Sequence, residues 1–540
     1  MPAPAPPAPR GAGRGRAPLL LVVPAVVVAA ASLVPVVYLF IRAGQGGWAA
    51  VTATVWSEPT ARLLARSLGL AAAVTGASVV IGVALAWLTV RCDLPARRLW
   101  QVVAALPLAV PSYVAAFAYL GSFPRFDGFR AAFVVLTLLS YPYVFLPVAA
   151  TLARMDPSME EAARSLGDGP VRVFWRVTLR QLRPAAATGS LLVALYVLSD
   201  FGAVSILRFD TLTRNIYLAY QASFDRTPAV VLGCLLLVFT FAIVTAEART
   251  RGRARYHSGR GTHRQAAMVA LGRARWAALV VPVSVAVLAL GLPAVALGRW
   301  LLEAAQLDLD LGRVRHAAWG SLLSSSLGAA VTAVAAVPAA LLAARYRGRV
   351  AGAVERATYL AHALPGIVIA LALVFFSVRL GPLYQRLPVL VFAYFVLFLP
   401  LAVSAVYSSA VQAPPVLDEV ARSLGRRPLA VLRTVTAPLL APGVAAGAAL
   451  VFLTCMKELP ATLLLGPTGF DTLATLMWSS TSVAAFGEAA LPAFLLVALA
   501  AVPTWVLSRR VGVGPAGAAG PRPGTVVPPG PGAGAGRGSG

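Results

Sequence analysis

Apolar residues in this chain come in long unbroken blocks separated by short polar stretches, with neither strand-like alternation nor one amphipathic stripe. A helix needs roughly 20 residues to cross about 30 Å of hydrocarbon, so each long block is a candidate membrane span. Twelve are found, near 19–41, 64–90, 101–120, 131–151, 186–207, 228–246, 276–298, 316–344, 358–380, 388–411, 444–465 and 489–508. The first follows Arg10, Arg14 and Arg16, as a signal sequence would. Its apolar run is longer than the roughly 7–15 residues of a cleavable signal core, so it reads as a retained span. The pattern predicts an all-α integral membrane protein of about 12 transmembrane helices.

The blocks repeat. Sliding the sequence on itself gives a match at one offset, 258 residues. Glu161-Ala162-Ala163-Arg164-Ser165-Leu166-Gly167 falls on Glu419-Val420-Ala421-Arg422-Ser423-Leu424-Gly425, with Pro170 on Pro428. Pro107 pairs with Pro365, Pro142 with Pro400, Pro157 with Pro415, Pro184 with Pro442, and Asp200 with Glu458. A three-residue insertion later, Asp210-Thr211-Leu212 meets Asp471-Thr472-Leu473. Matched prolines and polar residues are not a by-product of Ala/Leu-rich composition. An even number of spans separates the copies, so they are two parallel six-span repeats related about the membrane normal. The organisation is a disordered head (1–18), a first repeat (19–246, core 60–246), a basic linker (247–275), a second repeat (276–510, core 316–510) and a disordered Gly/Pro-rich tail (511–540).

Composition agrees and adds orientation. The 540-residue chain is 59% hydrophobic and 12% charged, whereas soluble domains carry about 25% charged residues. Its formal charge of +26 invites a nucleic-acid partner. The basic residues, however, fall between apolar blocks instead of forming one patch, so the partner is the lipid bilayer and no nucleic acid is expected. Placing both termini in the cytoplasm puts most of the 46 basic residues, including the run from Arg249 to Arg275, on that side. Cys92, Cys234 and Cys455 are scattered, and His257, His263, His316 and His362 have no ligand spacing, so no disulfide framework or metal site is expected.

Two polar features stand out between and within the spans. Between the fourth and fifth blocks, Asp156-Pro157 opens a short helix with Glu160 and Glu161 near its start, where acids favour the helix dipole, and Gly167 ends it. Pro170 then starts a second helix carrying Phe174, Val177 and Leu182 and closed by Pro184. The second repeat follows the same plan with Asp418, Glu419, Gly425, Pro428, Leu432, Val435 and Pro442. Within the fifth and eleventh blocks lie Ser199-Asp200-Phe201-Gly202 and Lys457-Glu458-Leu459-Pro460. Charges at membrane depth are costly and mark function or helix stapling. Gly202 and Pro460, two residues past each acid, can break the helix, which is tolerated where the backbone lines a cavity.

The paired cytoplasmic segments resemble the EAA loop of type I ABC-importer permeases, with Glu161, Ala162, Ala163 and Gly167 intact and Val420 as a departure in the second copy. A proline frequent near the start of the following span is Arg180 in one copy and Pro438 in the other. The resemblance implies that Glu160, Glu161, Ala162, Ala163, Gly167, Asp418, Glu419, Ala421 and Gly425 dock ATPase subunits. Two copies of that ATPase are implied, with ATP and Mg bound there and no cofactor on this chain. The sequence has no Gly-x-x-x-x-Gly-Lys-Ser/Thr phosphate loop of its own, and no catalytic residues are assigned. The segments around Asp200 and Asp210, and Met456 to Leu463 with Phe470 to Thr475, are similar to those of fused ferric-iron permeases over roughly residues 60–510. That implies ferric iron delivered by an extracytoplasmic binding protein to outer loops 208–227 and 466–488, in the plasma (inner) membrane. It makes Asp200, Gly202, Lys457, Glu458 and Pro460 candidates for the pathway or gate. Thiamine is the alternative cargo, followed by polyamine, phosphonate or oxyanion. A secondary transporter is the alternative class, but it leaves the matched loops unexplained. No dense Asp/Glu/Tyr cluster for iron is visible along the spans.

Overall fold

The computed structural model describes residues 17–222, 225–251, 268–304, 306, 310–360 and 365–510. The expected disordered tail, nearly all of the head, and residues 252–267 of the basic linker lie outside the described residues. Among the described residues the secondary structure is helical apart from one isolated bridge between Cys92 and Val269. Among the described residues nine helices are long and apolar enough to cross a membrane: Leu19–Gln45, Glu58–Arg91, Gly128–Arg154, Val171–Ser199, Thr227–Ala246, Ala274–Ala304, Leu311–Arg345, Leu387–Gln412 and Leu432–Met456. A pair bent by 92°, Arg97–Ala109 with Ser112–Ser122, and two further apolar helices, Gly366–Arg379 and Phe486–Arg510, complete the set. All of them overlap the twelve apolar blocks and are numbered spans 1 to 12 in chain order, although among the described residues only nine, or ten with the bent pair, are long and apolar enough to cross a membrane.

The repeat is visible in the packing. In the first half, spans 2, 4 and 5 form the tightest bundle, and in the second half spans 8, 10 and 11 do the same. Glycines at repeat-related positions let the backbones close. A Cβ on Gly189 would meet the Val144 Cα at 2.6 Å, and one on Gly447 would meet the Ala402 Cα at 3.2 Å. In lipid, where apolar surface gains nothing by leaving solvent, such close backbone packing is what holds helices together.

Spans 1 and 7 are exchanged between the halves. Span 1 lies against span 8 and the helices Arg349–Leu360 and Gly366–Arg379 of the second half. Its Tyr38 hydroxyl donates to the Phe375 carbonyl (3.1 Å), and the Arg42 guanidinium sits 5.3 Å from the Phe375 ring centre. Span 7 lies against span 3 of the first half and span 12. There Trp300, the repeat partner of Arg42, packs on Phe117, the partner of Phe375, with ring centres 4.6 Å apart. The Tyr119 hydroxyl donates to the Leu288 carbonyl at 2.8 Å. Each half therefore clasps the other through one N-terminal helix, a crossing that no linear division into two consecutive domains conveys.

Two sequence expectations change. Pro184 and Pro442 do not close the second helix of each polar segment, because the chain runs on as one helix from Val171 to Ser199 and from Leu432 to Met456. A π-turn precedes each proline, at Phe174–Thr178 and Leu432–Thr436, again at the repeat offset. Such local widening is one way a membrane helix accommodates a proline that cannot donate. The ninth block is also not one helix: Arg349–Leu360 is separate from Gly366–Arg379, which starts after Pro365.

Candidate functional site

Two regions carry the sequence-predicted residues. The first is the pair of short helices Ser158–Ser165 and Pro415–Ser423. The Asp156 carboxylate accepts from the Ser158 N–H at 3.0 Å, anchoring the first turn. Gly167 and Gly425 end the helices at φ +88° and +77°, a left-handed conformation that a side chain resists. The following N–H reaches back to close the end, from Asp168 to the Ala163 carbonyl and from Arg426 to that of Ala421 (3.1 Å each).

Glu160 and Asp418, predicted among the docking residues, point into the protein. Glu160 is 4% exposed and Asp418 5%. Glu160 pairs with Arg91 at the end of span 2 and accepts from the Thr178 hydroxyl at 2.7 Å. Asp418 pairs with Arg345 at the end of span 8 and accepts from the Thr436 hydroxyl at 3.1 Å. Each triad ties a short helix to its own bundle, with the threonine delivered by the last residue of the π-turn. The sequence reading missed Arg91, Arg345, Thr178 and Thr436. Thr178 and Thr436 stand at the repeat offset and were open to detection.

The outward faces are different in kind. Glu161, Ala162, Gly167, Glu419 and Gly425 are exposed, Ala163 is half-buried and Ala421 is buried. Around them Met159 (60%), Leu166 (86%), Leu417 (44%) and Leu424 (76%) present large apolar side chains. Large exposed apolar side chains beside charged ones, on each of the two short helices, have the character of a protein contact surface.

The second region is a cavity of about 340 Å³ between the halves. Four helix breaks meet on it. Span 5 stops at Ser199 and restarts as Gly202–Ile206; span 11 stops at Met456 and restarts as Pro460–Leu465. Span 3 is broken at Val110-Pro111, and span 9 begins at Gly366. All five pathway candidates, Asp200, Gly202, Lys457, Glu458 and Pro460, line this one space. The breaks in spans 5 and 11 were expected from Gly202 and Pro460. Those in spans 3 and 9 were not, although Pro111 and Pro365 stand directly before the helices that follow.

The acids are built into the breaks. One Asp200 oxygen accepts from the N–H groups of Ala203 (3.0 Å) and Val204 (3.3 Å), and one Glu458 oxygen accepts from that of Ala461 (3.1 Å). Each thus caps the helix that follows it. Gly366 is glycine for room, since a Cβ there would stand 2.7 Å from the Glu458 carboxylate. The Lys457 ammonium donates across the cavity to the Leu108 carbonyl of the first half at 3.2 Å. Tyr113, Tyr143 and Tyr196 also face the space, and the Tyr113 hydroxyl is buried without a hydrogen-bond partner. Asp200, Glu458 and these three tyrosines thus line one space. These residues are scattered over spans 3, 4, 5 and 11, and only the folding of the halves gathers them.

Comparison with known proteins places this architecture. The family described as binding-protein-dependent transport system inner membrane component matches twice, at residues 78–251 and 336–511. The Fe(3+)-transport system permease protein FbpB 2 of Haemophilus influenzae is 36% identical over 480 residues, covering 88% of this chain and 95% of that protein. The sulfate transport system permease protein CysT of Synechococcus elongatus is 29% identical over 198 residues, 33% of this chain and 71% of that protein. The molybdenum transport system permease protein ModB of Escherichia coli K12 is 32% identical over 142 residues, 23% of this chain and 62% of that protein. The doubled match and the doubled helical architecture agree: this chain is a multi-pass membrane permease that belongs to the binding-protein-dependent transport system inner membrane component family, with two copies of the family's domain fused in one polypeptide.

Proposed function

We propose that the chain is the complete transmembrane part of an ABC importer for ferric iron. The observation that carries this reading is the end-to-end likeness to the Haemophilus influenzae Fe(3+) permease, which spans both repeats. The likenesses to sulfate and molybdenum permeases each cover 36% of the chain or less. The cavity favours the same choice, because its two carboxylates would repel an oxyanion and attract a cation.

An extracytoplasmic binding protein delivers the ion to the loops at 208–227 and 466–488. ATP closes two copies of a separate ATPase in the cytoplasm, where both termini also lie. The docked helices Ser158–Ser165 and Pro415–Ser423 move with the ATPases. Because Glu160 and Asp418 lock those helices to Arg91 and Arg345, the motion passes directly into spans 2 and 8. The halves then rock and the cavity changes the side to which it opens.

The test is uptake of radioactive iron into proteoliposomes holding the permease with its ATPase, fed by the iron-loaded binding protein. ATP-dependent iron uptake that resists excess thiamine, sulfate and molybdate is expected. Absence of iron uptake, with transport of one of the competitors, overturns the cargo. Uptake that persists without the ATPase overturns the class.

A further inference from the structure

We propose that the cavity is a transit site for the uncomplexed ferric ion, held by the carboxylates of Asp200 and Glu458 and the hydroxyl oxygen of Tyr113. This deepens the iron reading and rests on it. Three observations converge. The two acids, from opposite halves, line one space, and Asp200 is buried there. Each commits one carboxylate oxygen to capping a helix, which fixes the carboxylate plane and orients the remaining oxygen. Tyr113 is 3% exposed, its hydroxyl unpartnered, in the wall of the same space. A buried hydroxyl without a partner is costly unless something binds it. Carboxylate and phenol oxygens are hard donors, suited to a hard trivalent ion.

The charges also specify the chemical form of the cargo. Two carboxylates and one ammonium leave the cavity with a formal excess of negative charge. An anionic iron chelate would meet repulsion from both acids, while the bare or aquated cation would not. The cap bonds meanwhile occupy helix-start N–H groups that would otherwise attract an anion.

The site is built to release. Among the described residues no group of three or more His, Cys, Asp or Glu could hold a metal. The Lys457 ammonium stands in the same space. A conducting site must bind well enough to be entered and weakly enough to be left. Two carboxylates opposed by one lysine meet that requirement better than a closed ligand cage.

The test uses Asp200→Asn with Glu458→Gln, since the amides keep a capping oxygen and lose the charge, and Tyr113→Phe separately. Terbium(III), a hard trivalent ion whose luminescence is excited through nearby tyrosine, is titrated into the detergent-solubilised permease–ATPase complex. Wild type is expected to give saturable tyrosine-sensitised emission, and the double variant to bind at least about tenfold more weakly. Tyr113→Phe is expected to weaken binding less. In parallel, proteoliposomes receive radioactive iron with carbon-labelled citrate, and iron is expected to enter without citrate. Wild-type iron uptake with unchanged terbium binding and unchanged uptake in the double variant overturns the site while leaving the iron reading intact. Co-entry of citrate overturns the bare-ion form. Failure of wild type to import iron at all falls on the cargo reading instead.

Discussion

The two halves of the molecule are most alike at the end that carries the short helices and least alike at the cavity between them. At the helical end, Arg91, Glu160 and Thr178 recur as Arg345, Asp418 and Thr436, with the same buried pairing and the same π-turn. At the cavity, Lys457 corresponds to Ser199. The hydrogen bond from Lys457 to the Leu108 carbonyl has no mirror image, because Ser199 carries no ammonium. On the proposed reading, two like ATPase contacts would call for like connectors, whereas an ion passing between the halves need not see symmetric walls. Fusion into one chain permits this, since each half is encoded separately and can diverge where symmetry is not required.

The comparison is broken most forcefully at the buried triads. Removing one partner of a buried ion pair strands the other charge, at a cost of about 3–5 kcal/mol. The first pair is the drier one, with side chains 5% and 5% exposed, against 15% and 7% for the second. Arg91 also lies over the Trp87 ring, 5.8 Å from its centre. Arg91→Ala should therefore lower the thermal stability of the solubilised protein more than Arg345→Ala. Equal or reversed losses would show that the halves are not coupled to their short helices in the way the burial implies.

Next in size is the contact face itself. Leu166 and Leu424 are largely exposed, so replacing them with Asp should leave insertion and folding unchanged. As candidate anchors of the ATPase interface, each should cost about 2 kcal/mol of binding. The two single variants should act alike, because the face is symmetric, and the double variant should abolish ATP-dependent uptake. The check is co-purification of the ATPase alongside transport; a double variant that still transports would remove these helices from the interface.

Much of this was legible in the sequence. Apolar block length alone located the long helices, since lipid requires them, although nine, or ten with the bent pair, rather than twelve are long and apolar enough to cross among the described residues. Gly167 and Gly425 were readable as helix ends because a left-handed turn leaves few alternatives to glycine. Asp200 and Glu458 stood out because acids are rare at that depth, and the structure places both on one cavity. What could not be read was where each side chain faces. Glu160 and Glu161 are adjacent in a motif, yet a helix turns about 100° between them, and one is buried against Arg91 while the other is exposed. The exchange of spans 1 and 7, and the gathering of Tyr113, Tyr143 and Tyr196 with the acids, depend on contacts between distant segments that leave no local periodicity.

The smallest expected effect sharpens the asymmetry most directly. Lys457→Met keeps much of the side chain's length and removes the ammonium, together with its bond to the Leu108 carbonyl. With that charge gone, the carboxylates of Asp200 and Glu458 are no longer opposed, and terbium(III) should bind about three- to tenfold more tightly, on the order of 1 kcal/mol. Tighter holding slows release, so maximal iron uptake should fall even as half-saturation moves to lower concentration. Ser199→Met, at the repeat-related position, removes no charge and should leave terbium affinity unchanged. If both variants behave alike, the lysine acts only as packing and the difference between the halves has no bearing on the ion. If Lys457→Met alone tightens binding and slows turnover, the second half supplies the group that releases the ion, and the divergence of the repeats is part of the transport cycle.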